Sequence, residues 1–155
     1  MFVYSIKSKH IKLALLVIFV VTTVISLFIL SQDSQQTGKS GMSIKASTHE
    51  ERMAFVSQYG WEVDEEPVEV QEVIIPSEFD DTYTAYNEIQ KDQGFDLSVY
   101  AGMRAKRWTY TIKNYAGYEN KDCIRVNILV YDGLVIGGDV CSIELDGFMH
   151  TFQMP

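Results

Sequence analysis

The N-terminal part of the chain carries one long apolar run. Residues 13–30 read LALLVIFVVTTVISLFIL, without a charge, and as a helix they span about 27 Å, close to the thickness of a membrane's hydrocarbon core. Three lysines precede the run, which is typical of a cytoplasmic end. We therefore expect residues 1–12 to be a cytoplasmic flank and residues 13–30 to be a single-pass signal anchor in the cell membrane. The C-terminal remainder is then extracytoplasmic.

A cleaved signal peptide is the competing interpretation of the same run. The apolar stretch is long for one, and no small-x-small pair follows it directly. Residues 31–47, SQDSQQTGKSGMSIKAS, are rich in small polar residues and bury too little surface to offset chain entropy. They are predicted to be a flexible linker, and residues 48–155 are predicted to form one folded domain.

The first helix of that domain is predicted by a capping box. Thr48 and Glu51 have the spacing at which the threonine accepts from the first turn and the glutamate reaches back. Apolar residues then recur at helical spacing as far as Tyr59, and Gly60 is a natural C-terminal stop.

A second helix is predicted to begin at Ser77, its N-cap, and to end at Gly94. Asn87 and Gln90 lie on or beside its apolar face. These two side chains could contact a ligand. We favour the structural interpretation, in which they satisfy backbone groups of the following turn, residues 94–97.

From position 103 onward the pattern favours β-structure. Trp108, Tyr110 and Ile112 alternate with basic residues and threonines, which predicts a strand with one wet face. Together the patterns predict an α+β fold: one N-terminal transmembrane helix, then two helices packed on a mainly antiparallel β-sheet.

Residues 123–142 are predicted to form a hairpin that turns at Asp132-Gly133. A two-residue loop would pair Tyr131 with Leu134 and would place Asp139 on the apolar face. A three-residue loop pairs Val130 with Leu134 and brings the apolar residues of both strands together. Register follows the hydrophobic pattern, so we expect the three-residue loop.

That register carries two predicted contacts. It sets Arg125 opposite Asp139, a cross-strand ion pair, and Cys123 opposite Cys141, within reach of a disulfide. Two unpaired thiols are the alternative, and a bulge at Gly137-Gly138 would shift the register.

Charge divides the chain of 155 residues into two parts. The net charge is −8 overall, but residues 1–45 carry five lysines and one aspartate. Residues 46–155 carry 8 basic and 20 acidic side chains, a net charge of −12. Such an acidic domain repels phosphate backbones, so we expect no nucleic-acid partner.

Candidate chemistry is sparse. No phosphate loop, GxSxG elbow or HExxH motif is present, so we expect no cofactor and no catalytic residue. Asp139, Asp146 and His150 are the weak candidates for a metal site. His150 shares strand parity with Phe148 and Phe152, and a lone histidine on an apolar face is more often a satisfied core residue.

Several short motifs occur together in residues 50–155. They are Gly60-Trp61, Ile75-Pro76, Tyr86-Asn87 with Gln90, Gly94-Phe95-Asp96-Leu97, Asn114-Tyr115, Gly137-Gly138-Asp139 and Asp146-Gly147-Phe148-Met149. In this combination the chain resembles the membrane-anchored proteins of Gram-positive bacteria catalogued as domain of unknown function 4830. The resemblance implies a small extracytoplasmic α+β domain behind one membrane helix, and it brings no activity.

Two functions are compatible with these features. We expect a noncatalytic module of the bacterial cell envelope that binds a small ligand or an envelope protein. The alternative is a small metal-assisted envelope hydrolase that uses Asp139, Asp146 and His150. The absence of catalytic motifs favours the first function.

Overall fold

The computed structural model describes residues 42–119 and 121–155. The predicted flank 1–12, the predicted anchor 13–30 and most of the predicted linker lie outside these ranges. Within them, no helix combines the length and the apolar character that crossing a membrane requires.

The described residues form two helices, a short 3₁₀ turn and five strands. The helices are α1 (His49–Ser57) and α2 (Asp81–Asp92), and the 3₁₀ turn spans Leu97–Tyr100. One antiparallel sheet has the order β1-β2-β3-β4-β5. The prediction of two helices and an antiparallel sheet is confirmed. The strands are β1 (Glu69–Ile74), β2 (Arg104–Thr111), β3 (Ile124–Tyr131), β4 (Leu134–Ser142) and β5 (Met149–His150).

Both faces of the sheet are covered. Side chains of β3 alternate between two cores: Val126 and Ile128 pack in the core that contains Phe55 of α1, and Leu129 packs in the core that contains Leu97 of the 3₁₀ turn, against which α2 also packs. The sheet therefore has an α1 face and an α2 face. The prediction of a wet face on β2 is wrong, because Thr109 and Thr111 on its polar side are only 6% and 2% exposed.

The first helix begins as predicted, and the second begins later. The capping box of Thr48 and Glu51 is present in full. The N-cap of α2 is Asp80, not Ser77, and its side chain accepts from the backbone N–H of Tyr83 at 2.7 Å. The chain cannot turn into a helix sooner, because Ile75 still exchanges backbone hydrogen bonds with residues 102 and 103 ahead of β2.

The β3–β4 hairpin has the two-residue loop. Tyr131 pairs with Leu134, and both Asp132 and Gly133 have positive φ, as a type I′ turn requires. A bulge then leaves Ile136 without a partner, since Val130 pairs with Val135 and Leu129 with Gly137. The predicted three-residue loop is wrong, because the bulge realigns the apolar sets that the loop was meant to align.

The folded domain starts before residue 48. The backbone N–H of Ala46 donates to the carbonyl of Gly133 at 2.8 Å, and Ile44 accepts from Val135 at 2.8 Å. Ala46 is 1% exposed. Residues 44–46, at the end of the predicted linker, therefore belong to the packed domain.

Candidate functional site

Helix α1 carries a buried cation. Arg52 is 6% exposed, and its Nε donates to the hydroxyl of Tyr110 at 3.0 Å. Its Nη1 donates to the carbonyl oxygens of Ala46 and Ser47 at 3.1 and 3.2 Å. The guanidinium lies over the ring of Trp108, 3.6 Å from the centroid. Neutral groups thus fix Arg52 in place without neutralising its charge.

Most other basic residues of the domain have a carboxylate partner. Among the described residues, Arg52, Lys106 and Arg125 have no carboxylate oxygen within salt-bridge distance. With 20 acidic side chains in residues 46–155, partners are not scarce, so the lack of a carboxylate within salt-bridge distance of Arg52 is a specific feature of the site. The paired residues are Lys91, Arg104, Arg107, Lys113 and Lys121.

Arg52 borders a cavity of about 640 Å³. We call this space the Arg52 cavity and define it by Arg52, Trp108, Lys106, Arg104 and Tyr131. Its volume lies in the range of small-molecule sites. Nη2 of Arg52 has no hydrogen-bond partner among the described residues and is not among the buried unsatisfied atoms, so it is accessible from the cavity.

The charges around this cavity are mixed, with a positive balance. Arg104 pairs with Glu72 across the neighbouring strand, and Asp132 lies at the rim in the β3–β4 turn. Arg52 and Lys106 then remain without a paired carboxylate. The cavity can accept an anionic group on a guanidinium fork that is already oriented.

A second polar centre lies on the α2 face. Asp139 of β4 is 3% exposed and accepts from the hydroxyl of Tyr86 at 2.9 Å and from Nδ2 of Asn127 at 2.9 Å. The hydroxyl of Thr109 donates to Asn127 at 2.7 Å. Burial raises the pKa of Asp139, and it also raises the pKa of Tyr86 together with the adjacent carboxylate. This network joins α2 to three strands.

Beside this network is a smaller pocket of about 240 Å³. We call it the Asp139 pocket and define it by Asp139, Arg107, Tyr83, Leu129 and Met149. It lies between α2 and the sheet, so the two cavities occupy opposite faces of the same sheet.

The predicted disulfide is not formed. Both thiols are free, and Cys141 lies opposite Arg125 in the strand register. Cys123 lies two positions further along, where its carbonyl accepts from the N–H of Ile143. The β4 bulge and the shorter loop together displace the register on which the disulfide prediction rested. Burial raises the pKa of the Cys141 thiol to about 11.

The same displacement removes the predicted ion pair. Asp139 lies opposite Asn127, not opposite Arg125, and among the described residues Arg125 has no carboxylate partner. The prediction of an Arg125–Asp139 pair is therefore wrong. Asp139 is satisfied by a hydroxyl and an amide instead.

The three metal candidates do not form a ligand set. Asp146 is exposed in a turn at φ 59°. Nδ1 of His150 lies 2.6 Å from the carbonyl of Thr151 and donates to it, and Nε2 lies 3.1 Å from the hydroxyl of Tyr115. Asp139 is enclosed in its network. In residues 42–119 and 121–155, no three histidine, cysteine or acidic side chains are grouped to hold a metal.

Of the two polar residues of the second helix, Asn87 has the role that was predicted and Gln90 has a different one. Asn87 accepts from the backbone N–H of Leu97 at 2.8 Å, within the predicted turn. The Gln90 side chain does not bond to that turn and instead accepts from the N–H of Gly138 on β4 at 2.7 Å. Gln93 donates to the carbonyl of Gly138 at 2.7 Å, so two amides clamp α2 to β4.

Sequence reasoning overlooked Arg52. Its position held a usable signal, since residues 52, 55 and 56 share one helical face. Phe55 and Val56 are apolar, so a basic residue on the same face indicates a buried charge. The fold alone reveals that Trp108, 56 positions away, supplies the aromatic wall.

The family model described as "Domain of unknown function (DUF4830)" matches residues 55–140. The chain belongs to this family. The resemblance found in the sequence motifs is confirmed, and the DUF4830 match covers α2, β1, β2, β3 and the Asp139 network. Comparisons with curated proteins and with solved structures give no match.

Proposed function

We propose that this DUF4830 protein is a membrane-anchored, extracytoplasmic binding module that holds an anionic ligand in the Arg52 cavity without chemical turnover. The observation that carries the proposal is the buried guanidinium of Arg52, which has no carboxylate partner among the described residues although the domain is strongly acidic.

A buried charge is expensive unless something compensates it. Backbone carbonyls and the Tyr110 hydroxyl offset part of the cost through hydrogen bonds. An oxyanion on the accessible Nη2 would add the missing counter-charge, and Lys106 would reinforce it from the rim. Trp108 and Tyr131 offer apolar surface to the body of the same ligand. A small organic phosphate or carboxylate has this combination.

The location of the module is part of the proposal. Residues 1–12 form the cytoplasmic flank, residues 13–30 the anchor and the residues up to about 43 the tether. The uncharged run and the lysines before it support this arrangement. Protease added to intact protoplasts should digest the domain and spare a short N-terminal stub. A protected full-length chain would reverse the orientation, and free domain in the medium would indicate cleavage.

The metal-assisted hydrolase has less support than the binding module. Its three candidate residues have separate partners and surroundings. No observation on the described residues favours it.

Calorimetric titration of the purified full chain in detergent tests the binding role. The probes are phenyl phosphate and benzoate, with benzyl alcohol as the uncharged control. We expect at least one anion to bind, and Arg52→Lys, which keeps the charge but loses the fork, to weaken it about tenfold.

Arg125→Lys is the matched control, because Arg125 also lacks a carboxylate partner among the described residues and lies outside the cavity. It should bind as the unmodified chain does. Equal binding of benzyl alcohol, or unchanged affinity in Arg52→Lys, would contradict the proposal.

A further inference from the structure

The hydrogen bonds of Arg52 leave one of its three nitrogens for a ligand. Nε donates to the hydroxyl of Tyr110, and Nη1 donates to the carbonyl oxygens of Ala46 and Ser47. Nη2 has no partner among the described residues and is not among the buried atoms without one, so it retains accessible surface. The two N–H groups of Nη2 are therefore the part of Arg52 that the cavity presents.

This arrangement blocks the side-on pairing that arginine usually makes with a carboxylate. In that pair, parallel N–H groups from two different nitrogens meet the two carboxylate oxygens. Nε faces the Tyr110 hydroxyl and Nη1 faces the backbone carbonyls, so both edges of the guanidinium that include Nη2 are already engaged. A ligand then contacts Arg52 end-on, through Nη2 alone, and its other oxygens need a second donor.

Lys106 is placed to be that donor. Lys106 and Trp108 are two positions apart on β2, so their side chains leave the same face of the sheet about 7 Å apart. The guanidinium of Arg52 lies 3.6 Å from the centroid of the Trp108 ring. Arg52 and Lys106 both line the cavity, and neither has a carboxylate within salt-bridge distance among the described residues. Two unpaired cations thus face one cavity from different elements, α1 and β2.

We propose that the ligand of the Arg52 cavity is a phosphate monoester, bound as the dianion, an inference that rests on the anion-binding role proposed above. One phosphate oxygen accepts from Nη2 of Arg52 and another accepts from the ammonium of Lys106. The three terminal oxygens of a monoester diverge from the phosphorus, so donors on two elements can each reach one. Its charge of about −1.5 to −2 near pH 7 matches the two unpaired cations.

Other anions match these two donors less well. A carboxylate has one charge and two oxygens in a single plane, which suits the side-on pairing that is blocked here. A phosphate diester or a sulfate monoester keeps a tetrahedral group but has one charge, so one cation stays uncompensated. Glu72 and Asp132 at the rim would repel further negative charge, so the body of the ligand should be neutral.

Calorimetric titration of the purified full chain in an uncharged detergent, at about pH 7.5, tests this assignment. The probes are phenyl phosphate, phenyl sulfate and benzoate, which share one apolar body. Phenyl sulfate keeps the tetrahedral shape with a single charge, and benzoate is planar as well as singly charged. We expect phenyl phosphate to bind at least about tenfold more tightly than either of the others.

The outcomes separate this inference from the proposed function. Binding of either monoanion as tightly as phenyl phosphate would overturn the phosphate monoester and leave the anion-binding role intact. Failure of all three probes to bind would overturn both.

Lys106→Gln tests the second contact. It should weaken phenyl phosphate about tenfold and remove most of its advantage over phenyl sulfate, because only the dianion uses both cations. Lys121→Gln is the matched control, since it removes the same charge from a residue outside the cavity that pairs with Glu144. The control should keep the preference for phosphate, and circular dichroism checks that both variants fold.

An unchanged preference in Lys106→Gln would refute the contact with Lys106. An equal loss in Lys121→Gln would also overturn it, because the preference would then come from the net charge of the domain and not from the cavity.

Discussion

The two faces of the sheet bury one charge each and satisfy it differently. On the α1 face, Arg52 is held by carbonyl oxygens and an aromatic ring. On the α2 face, Asp139 is held by the hydroxyl of Tyr86 and the amide of Asn127. Neither charge has an oppositely charged hydrogen-bond partner among the described residues. The comparison teaches that hydrogen bonds to neutral groups can position a buried charge without supplying a counter-charge.

The faces also differ in what fills them. The α1 face is largely aliphatic and aromatic, with Phe55 and Phe152 packed edge to face at 5.1 Å. The α2 face has a smaller apolar core and depends on side-chain amides, which bind β4 at Gly138. A side chain at Gly138 would also meet Phe152 in the core of the α1 face. A single change at this position therefore disturbs both faces.

The largest effect is expected from Gly138→Ala. A Cβ there would lie 2.1 Å from the carbonyl oxygen of Asn127 and 2.5 Å from the ring of Phe152, at φ 150°. Backbone strain and overpacking together should cost about 4 kcal/mol of unfolding free energy, measured by urea denaturation.

Gly102→Ala is the control for this change. It also has a positive φ, but its Cβ would meet nothing within 4 Å, so the cost should be about 1 kcal/mol. Equal costs at the two positions would show that strain, not the meeting of the two faces, limits residue 138.

Arg52→Met should destabilise the domain by about 2 kcal/mol. The change leaves the Tyr110 hydroxyl and two carbonyls without their donor, while loss of an uncompensated charge offsets part of that cost. Urea denaturation measures the effect. Lys106→Met, on the rim of the same cavity, should change stability by less than about 0.5 kcal/mol. A stabilised Arg52→Met would show that the buried charge outweighs its hydrogen bonds.

Asp139→Asn should reveal a smaller, pH-dependent effect. Burial raises the pKa of Asp139 in the folded chain above its usual value of 3.8, so the folded state binds more protons than the unfolded state above that pH. As the pH rises from the pKa of Asp139 in the unfolded chain to its higher pKa in the folded chain, the unmodified chain therefore loses unfolding free energy relative to Asp139→Asn. Urea denaturation from pH 3 to pH 7 measures the difference, and a constant offset would refute the shift.

The smallest effect on stability concerns the cysteines. Replacing both Cys123 and Cys141 with serine should change unfolding free energy by less than about 1 kcal/mol, and reductant should have no effect on the unmodified chain. Because burial raises the Cys141 pKa from 9.0 to about 11, its native alkylation at pH 8 should be about 100-fold slower than that of an unshifted thiol. Intact mass after alkylation checks this, and a cross-linked pair would contradict it.

Local signals in the sequence predicted the helices well. The capping box needs only Thr48 and Glu51, two residues that lie within one helical turn of each other. The predicted start of α2 was wrong. Ser77 satisfies the local preference for an N-cap residue, but backbone pairing at Ile75, a non-local contact, delays the helix until Asp80.

The hairpin register and the site depend on longer-range geometry. A bulge at Ile136 costs one residue of register, and hydrophobic alternation alone does not distinguish it from a longer loop. Both the predicted disulfide and the predicted ion pair depended on this register, so one error in the hairpin made both predictions wrong. The Arg52 cavity joins α1 to Trp108 through tertiary packing, which no periodicity reports, although the polar residue on an apolar helix face was visible.

The amide clamp between α2 and β4 has an environmental consequence. Gln90 and Gln93 carry no charge, and they bind both the N–H and the carbonyl of Gly138. Acidification or concentrated salt weakens the surface ion pairs, such as that of Lys113 with Asp122. The two amide contacts have no titratable group or net charge for either to act on, unlike the neighbouring contact of Tyr86 with Asp139. The attachment of α2 at Gly138 should thus tolerate swings in acidity and salinity that loosen the exterior of the domain.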